Sequence, residues 1–147
     1  MYFKIHNKAP KITEPLGSEL VVGEQPNLEG KPFETFIAQA YWCESELQEE
    51  ANVIWINQQG LWHHLCFDED IVFWRIMDEG PKYTPPKEED IWDFPLEDLN
   101  KKHELEGQVL ESIEHKITEA NASVEFKFSN GLSLKIVSQN DSTKIET

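Results

Sequence analysis

Arginine occurs once in these 147 residues, at Arg75, and every other cationic side chain is a lysine. A buried, bidentate guanidinium clamp on a carboxylate or phosphate is therefore available at one position alone. Glycine is nearly as sparse: seven residues, scattered singly, supply neither a phosphate-cradling loop nor a dinucleotide fingerprint. A Gly-x-Ser-x-Gly nucleophile elbow is missing too. The two cysteines, Cys43 and Cys66, lie in strand-like apolar contexts where a free thiol packs as a small hydrophobe, so buried thiols are expected rather than a disulfide. Long apolar runs are also lacking. The opening Met-Tyr-Phe-Lys-Ile-His-Asn-Lys contains none, and later runs fall far short of a membrane span, which gives the expectation of a soluble, unexported, cytoplasmic protein.

Negative charge is what the chain has in excess. Acidic side chains number 28 against 13 basic ones, for a net charge of −15 and a pI near 4.6. Such a surface repels phosphate backbones and anionic lipid, so nucleic acid and membrane are excluded as partners and a basic protein is the natural one. The plainer reading is that acidity only aids solubility. A hydrophobic fraction of 39%, with 11% aromatic, suits a globular chain, and the length suits one domain over residues 1–147.

The clearest local pattern runs from Val124 to Val137. Val124, Phe126 and Phe128 alternate with polar residues, as do Leu132, Leu134 and Ile136 after Asn130-Gly131, which is a β-hairpin. A two-residue loop would set Phe126 beside Lys135 and waste the alternation. A three-residue loop, Ser129-Asn130-Gly131, aligns Phe128 with Leu132, Phe126 with Leu134, Val124 with Ile136 and Glu125 with Lys135, with Gly131 as the left-handed residue of a bulged turn.

Other strands are expected over residues 2–6, 19–22 and 33–43, the last in its first half at least with Ala38 to Leu47 open to a helix, followed by an acidic turn or short helix end at Glu44, Glu46, Glu49 and Glu50. A meander of Val53–Ile56, Leu61–Phe67 and Ile71–Met77 comes next, its short turns favouring antiparallel pairing. Residues 80–108 form a long acidic excursion in which Pro81, Pro85, Pro86 and Pro95 exclude regular strands. Over residues 108–117 a four-residue recurrence suits a helix and the neighbouring hairpin suits a strand; strand is preferred for Gln108–Glu114. Residues 139–147 read as a polar tail. The fold expected is a β-rich α+β class built on a predominantly antiparallel sheet, its core including Phe36, Trp55, Ile56, Leu65, Phe67, Phe73, Ile76, Phe126, Phe128, Leu134 and Ile136.

Chemistry-bearing clusters are few. His63, His64, Cys66 and Asp68 are the one group with metal-ligating residue types, but alternation puts His63 and His64 on opposite faces and leaves only His64 with Cys66, so neither metal nor other cofactor is expected. Carboxylates are too abundant for any pair to signal a hydrolase, and a dyad of Cys43 with a histidine has no supporting motif, so no enzyme is expected.

Charge is concentrated: residues 68–98 hold 11 acidic and 3 basic side chains, more than half of the net charge in about a fifth of the chain. Asp68, Glu69 and Asp70 form one part, and Glu88, Glu89, Asp90, Asp93, Glu97 and Asp98, interleaved with Trp92 and Phe94, form the other. These are the candidate partner-binding residues, aromatics anchoring in a partner's cavity while carboxylates meet its basic rim. The simpler reading, that Trp92 and Phe94 fold back on the protein's own core, is preferred, with the carboxylates outward in either case.

From Gly107-Gln108 through Phe-Ser-Asn-Gly-Leu-Ser-Leu-Lys-Ile, the chain resembles the C-terminal part of small acidic bacterial immunity proteins of contact-dependent and polymorphic toxin systems. The resemblance implies an inhibitor that neutralises one cognate toxin, often a basic nuclease, by binding it, and it assigns no functional residue. Two alternatives stand beside it: a small-ligand-binding or catalytic domain with a pocket between sheet and long loop near Trp62, His64 and Trp74, and a mimic of nucleic-acid charge that inhibits a DNA-binding enzyme.

Overall fold

The computed structural model describes residues 21–147 apart from Phe33 and Asp70. Its elements in chain order are β1 (Val21–Val22), β2 (Thr35–Cys43), β3 (Glu46–Gln58), β4 (Leu61–Asp68), β5 (Ile71–Met77), β6 (Trp92–Asp93), β7 (Leu96–Asp98), α1 (Leu99–Lys102), β8 (Leu110–Ile117), β9 (Ala122–Phe128), β10 (Ser133–Gln139) and β11 (Ser142–Glu146). The strand expected over residues 2–6, and residues 19–20 of the second one, lie outside the described residues. Strand accounts for 58% of the structure and helix for 3%, so sheet pairing alone sets the architecture. One sheet runs β1-β5-β4-β3-β2-β6, with β7 also on β2, and the other β11-β10-β9-β8. Among the described residues only β1 and β5 pair in parallel.

Tight turns explain why consecutive strands become neighbours. Glu44-Ser45, Gln59-Gly60 and Asn140-Asp141 all have positive φ at both positions, the mirror-image turn whose twist matches that of the flanking strands. The C-terminal hairpin differs, and as the alternation requires. Leu134 pairs with Phe126, Lys135 with Glu125 and Ile136 with Val124, the Phe128 N–H donates to Leu132 O across 2.9 Å, and Gly131 sits at φ +88°.

Two acidic or polar stretches fold more regularly than their composition suggests. Glu46–Glu50, expected as a turn or helix end, begins the 13-residue strand β3, and residues 139–147, expected as a tail, contain β11 paired to β10. Each accounts for the other. The Ser142 hydroxyl donates to Gln48 O at 2.9 Å, and the Ile145 N–H donates to a Glu50 carboxylate oxygen at 2.6 Å, so the last strand is held by the sheet face beside it. Leu110–Ile117 is strand rather than helix.

The two sheets meet across one buried cluster. Phe36, Ile54, Ile56, Leu65, Val72 and Trp74 come from the first, and Ile113, Val124, Phe126, Phe128, Leu134 and Ile136 from the second. Phe36 and Phe126 touch at 5.1 Å between ring centroids, and the Trp74 Nε1–H donates to His115 Nε2 at 2.9 Å, a polar pin between the two sheets. Of the expected core, Phe67 and Phe73 are only partly buried. Ile76 is a correction: at the end of β5 and outside the cluster, it is 60% exposed.

Candidate functional site

The acidic excursion is fastened to the sheet at both ends. It leaves β5 after Met77, and Gly80 packs on the Trp62 ring so closely that a Cβ there would stand 2.4 Å away. It returns on the far edge, where β6 and β7 pair with β2 on either side of Pro95, the proline falling between strands as its missing N–H demands. At that point β2 bulges, and the Ala40 N–H, freed from β3, donates to Pro95 O at 2.9 Å. Proline thus limits these strands to two and three residues without abolishing them.

Several of the candidate carboxylates turn out to order the excursion itself. Asp93 accepts from the Tyr83 hydroxyl at 2.9 Å, which raises the Tyr83 pKa, and Asp90 accepts from the Lys87 N–H at 2.9 Å. Asp98 caps α1 by accepting from the Lys101 N–H, and Glu97 pairs with Lys102 at 3.1 Å. Glu88 and Glu89 are exposed. Asp68 and Glu69 are exposed in the β4–β5 turn, and Asp70 lies outside the described residues. Because β2 and β4 both run antiparallel to β3, that turn and Trp92 sit at the same end of the sheet, whereas Asp98 pairs with Ile37 near the start of β2.

Trp92 does not fold back on the core. It is 51% exposed and Ile91 49%; Phe94 stacks on Tyr41 at 5.2 Å yet remains 37% exposed. The expectation of inward aromatics therefore holds only in part for Phe94 and fails for Trp92, since two-residue β6 offers no inner face to bury it. Beside Trp92 lies an open depression of about 480 Å³ lined by Trp42, Ser45, Pro86, Asp90, Ile91, Trp92, Asp93 and Pro95. Trp42 belongs to this site and was not among the candidates. It is drawn in by pairing with Asp93 across β2 and β6, a long-range contact that leaves no local trace in sequence.

The histidines separate as alternation requires, His63 buried on the inner side and His64 on the outer side opposite Arg75 and Trp55. His64 meets the Trp55 ring edge-on at 4.8 Å, and its Nδ1 is buried without a hydrogen-bond partner. Burial lowers the pKa of both, and the Arg75 guanidinium lowers that of His64 further. Burial also raises the Cys66 thiol. Cys43 and Cys66 are free and only partly buried, and Cys43 neighbours the Tyr41 hydroxyl rather than a histidine, raising the Tyr41 pKa. Among the described residues no three His, Cys, Asp or Glu side chains are grouped to hold a metal ion.

The pocket anticipated near Trp62, His64 and Trp74 is corrected by the register. Trp74 pairs with Leu65, whereas Trp62 and His64 flank the opposite face of β4; Trp74 is buried between the sheets and cannot share a wall with the other two. No helix among the described residues is long and apolar enough to cross a membrane. Comparisons with protein-family models, with curated proteins and with solved structures find no match.

Proposed function

We propose that this protein is an acidic inhibitor of the immunity type, which neutralises a cognate basic toxin domain, a nuclease by preference, through direct contact in the cytoplasm. The observation that carries this reading is the half-exposed pair Ile91 and Trp92 set beside Glu88, Glu89, Asp90 and Asp93. Large apolar side chains left in water and rimmed by charge have the composition of a protein-binding patch. A nuclease that grips phosphates presents lysines and arginines, which a carboxylate array can occupy in their place. The resemblance of the C-terminal hairpin to immunity proteins points the same way.

Charge and aromatic contact should act on different rates, because long-range attraction speeds encounter and buried contact slows release. The test uses the toxin domain encoded beside this protein's own gene. Glu88→Lys with Glu89→Lys, exposed positions, should lower the association rate roughly tenfold at low salt and flatten its salt dependence. Trp92→Ala should raise the dissociation rate by about 2 kcal/mol, near thirtyfold. Folded variants with unchanged rates that still protect cells at low expression would remove this surface from the interface, and failure of the wild-type protein to bind any neighbouring toxin domain would remove the immunity reading.

A further inference from the structure

We infer that the depression beside Trp92 is a receptor for one arginine side chain of the basic partner. The partner is the one proposed above, and on that reading the inference rests; the chemistry of the depression is argued separately. Trp42 and Asp93 are register partners across β2 and β6, so their side chains leave the sheet on the same side, within reach of one ligand group. Asp90 and Asp93 both line the depression, with Ile91, Trp92 and Pro86 completing its wall.

Both carboxylates are already oriented. The Tyr83 hydroxyl holds one oxygen of Asp93 and the Lys87 N–H one oxygen of Asp90, which leaves each a second oxygen for another donor. An anionic occupant would be repelled by this pair and by the neighbouring Glu88 and Glu89. A purely apolar occupant would strip water from two carboxylates and give no donor in return. A lysine ammonium supplies charge but is compact and strongly hydrated, whereas a guanidinium lies flat on an indole and carries in-plane donors for two carboxylates at once. Trp42 and the two aspartates supply those partners in one depression.

The experiment follows the tryptophan indole N–H signals of the full-length protein by NMR during titration with N-acetyl-argininamide, with its citrulline counterpart of the same shape but no charge, and with N-acetyl-lysinamide. Saturable shifts at Trp42 and Trp92 are expected with the arginine amide, with Trp55, Trp62 and Trp74 unmoved. Binding should be roughly five- to tenfold weaker for the citrulline amide and measurably weaker for the lysine amide. Asp90→Asn with Asp93→Asn keeps an oxygen for the Lys87 and Tyr83 donors and should abolish the response; Trp42→Leu should abolish the Trp92 shift. No shift with the arginine amide, equal binding of citrulline or lysine amide, or undiminished binding by the folded Asn variant overturns the inference. An arginine response without any toxin complex leaves this site standing and removes the immunity reading. A toxin complex whose stability ignores Asp90→Asn and Asp93→Asn does the reverse.

Discussion

On the outward side of the four-stranded sheet, Ser112, Glu114 and Lys116 of β8 stand beside Ser123, Glu125 and Lys127 of β9, with Ser133 and Lys135 of β10 beyond them. In the corresponding alternation of the seven-stranded sheet the outward residues are Trp55, Trp62, His64, Phe73 and Arg75. The first surface carries short polar side chains among charged ones, Lys127 and Glu114 meeting at 3.0 Å. The second is aromatic, and the protein closes it with its own parts: Trp62 and His64 stand edge-on to Trp55, and the acidic excursion enters over Trp62. The segment most able to meet a partner is thus the segment fastened over the aromatic face. The proposed binding segment packs on that sheet and not on the other.

The largest effect should come from what the two sheets share. Phe126→Ala empties a fully buried position in contact with Phe36 and should cost about 3–5 kcal/mol, read as a lower unfolding midpoint in urea. A midpoint within about 1 kcal/mol of the native protein would mean that the sheets are stabilised independently.

Next is the fastening of the excursion. Gly80→Val must displace the Trp62 ring and should cost about 1–3 kcal/mol, with faster amide exchange over residues 78–95 than over β9 and β10. If exchange accelerates equally in both sheets, the excursion is not a separable unit.

The pin between the sheets supplies a pH test. Burial lowers the pKa of His115, with no charge from a neighbouring side chain contributing, and its Nε2 accepts the Trp74 proton and so cannot itself be protonated while the bond lasts. In the unfolded chain the imidazole titrates near its ordinary value of about 6.5. Below that pH the unfolded state takes up the proton first, so stability present above about 6.5 is lost as pH falls toward the depressed folded value. Trp74→Phe should cost about 1–2 kcal/mol at neutral pH by leaving the imidazole nitrogen unpaired. Because His63, His64 and His103 shift in the same direction, the decisive comparison is His115→Leu, whose stability should fall less steeply between pH 6.5 and 5 than the native protein's; identical slopes would disprove the role of the pin.

Smallest should be Lys127→Ala on the polar surface. The pair with Glu114 raises the Lys127 pKa and lowers that of Glu114, but both side chains are about half exposed, where water screens the attraction and little stability follows from it. A loss as large as that of Gly80→Val would erase the contrast between the two outer surfaces.

How far each region could be read from sequence follows from the same contrast. Where polar and apolar residues alternate strictly, one register puts the apolar side chains on a single face and a one-residue slip turns them outward, so the register of the C-terminal hairpin, its loop length and its left-handed glycine were legible, although Leu132 at the loop stays exposed. Ile71 to Met77 is apolar on both sides, and alternation there is silent about direction. Trp74 therefore could not be told from Trp62 as the inward tryptophan, nor Ile76, on the same face as Trp74 but past the covered core, recognised as exposed. At the candidate site the clustering of charge around Glu88–Asp98 and the presence of Trp92 were visible as composition, while the exposure of Trp92 and the arrival of Trp42 were not.

By itself the sequence determined the local geometry wherever an energy term acts between near neighbours: strand period, turn chemistry at Gln59-Gly60 and Gly131, and the sign and location of charge. Tertiary structure alone decided the matters that depend on residues far apart in the chain. It made a strand of Ser142–Glu146 because unpaired backbone groups on β10 and the Gln48 and Glu50 oxygens were there to receive it. It also set Trp42 against Asp93 because a bulge in β2 freed Ala40 to hold Pro95, and backbone hydrogen bonds of that kind carry no signature of the side chains that make them.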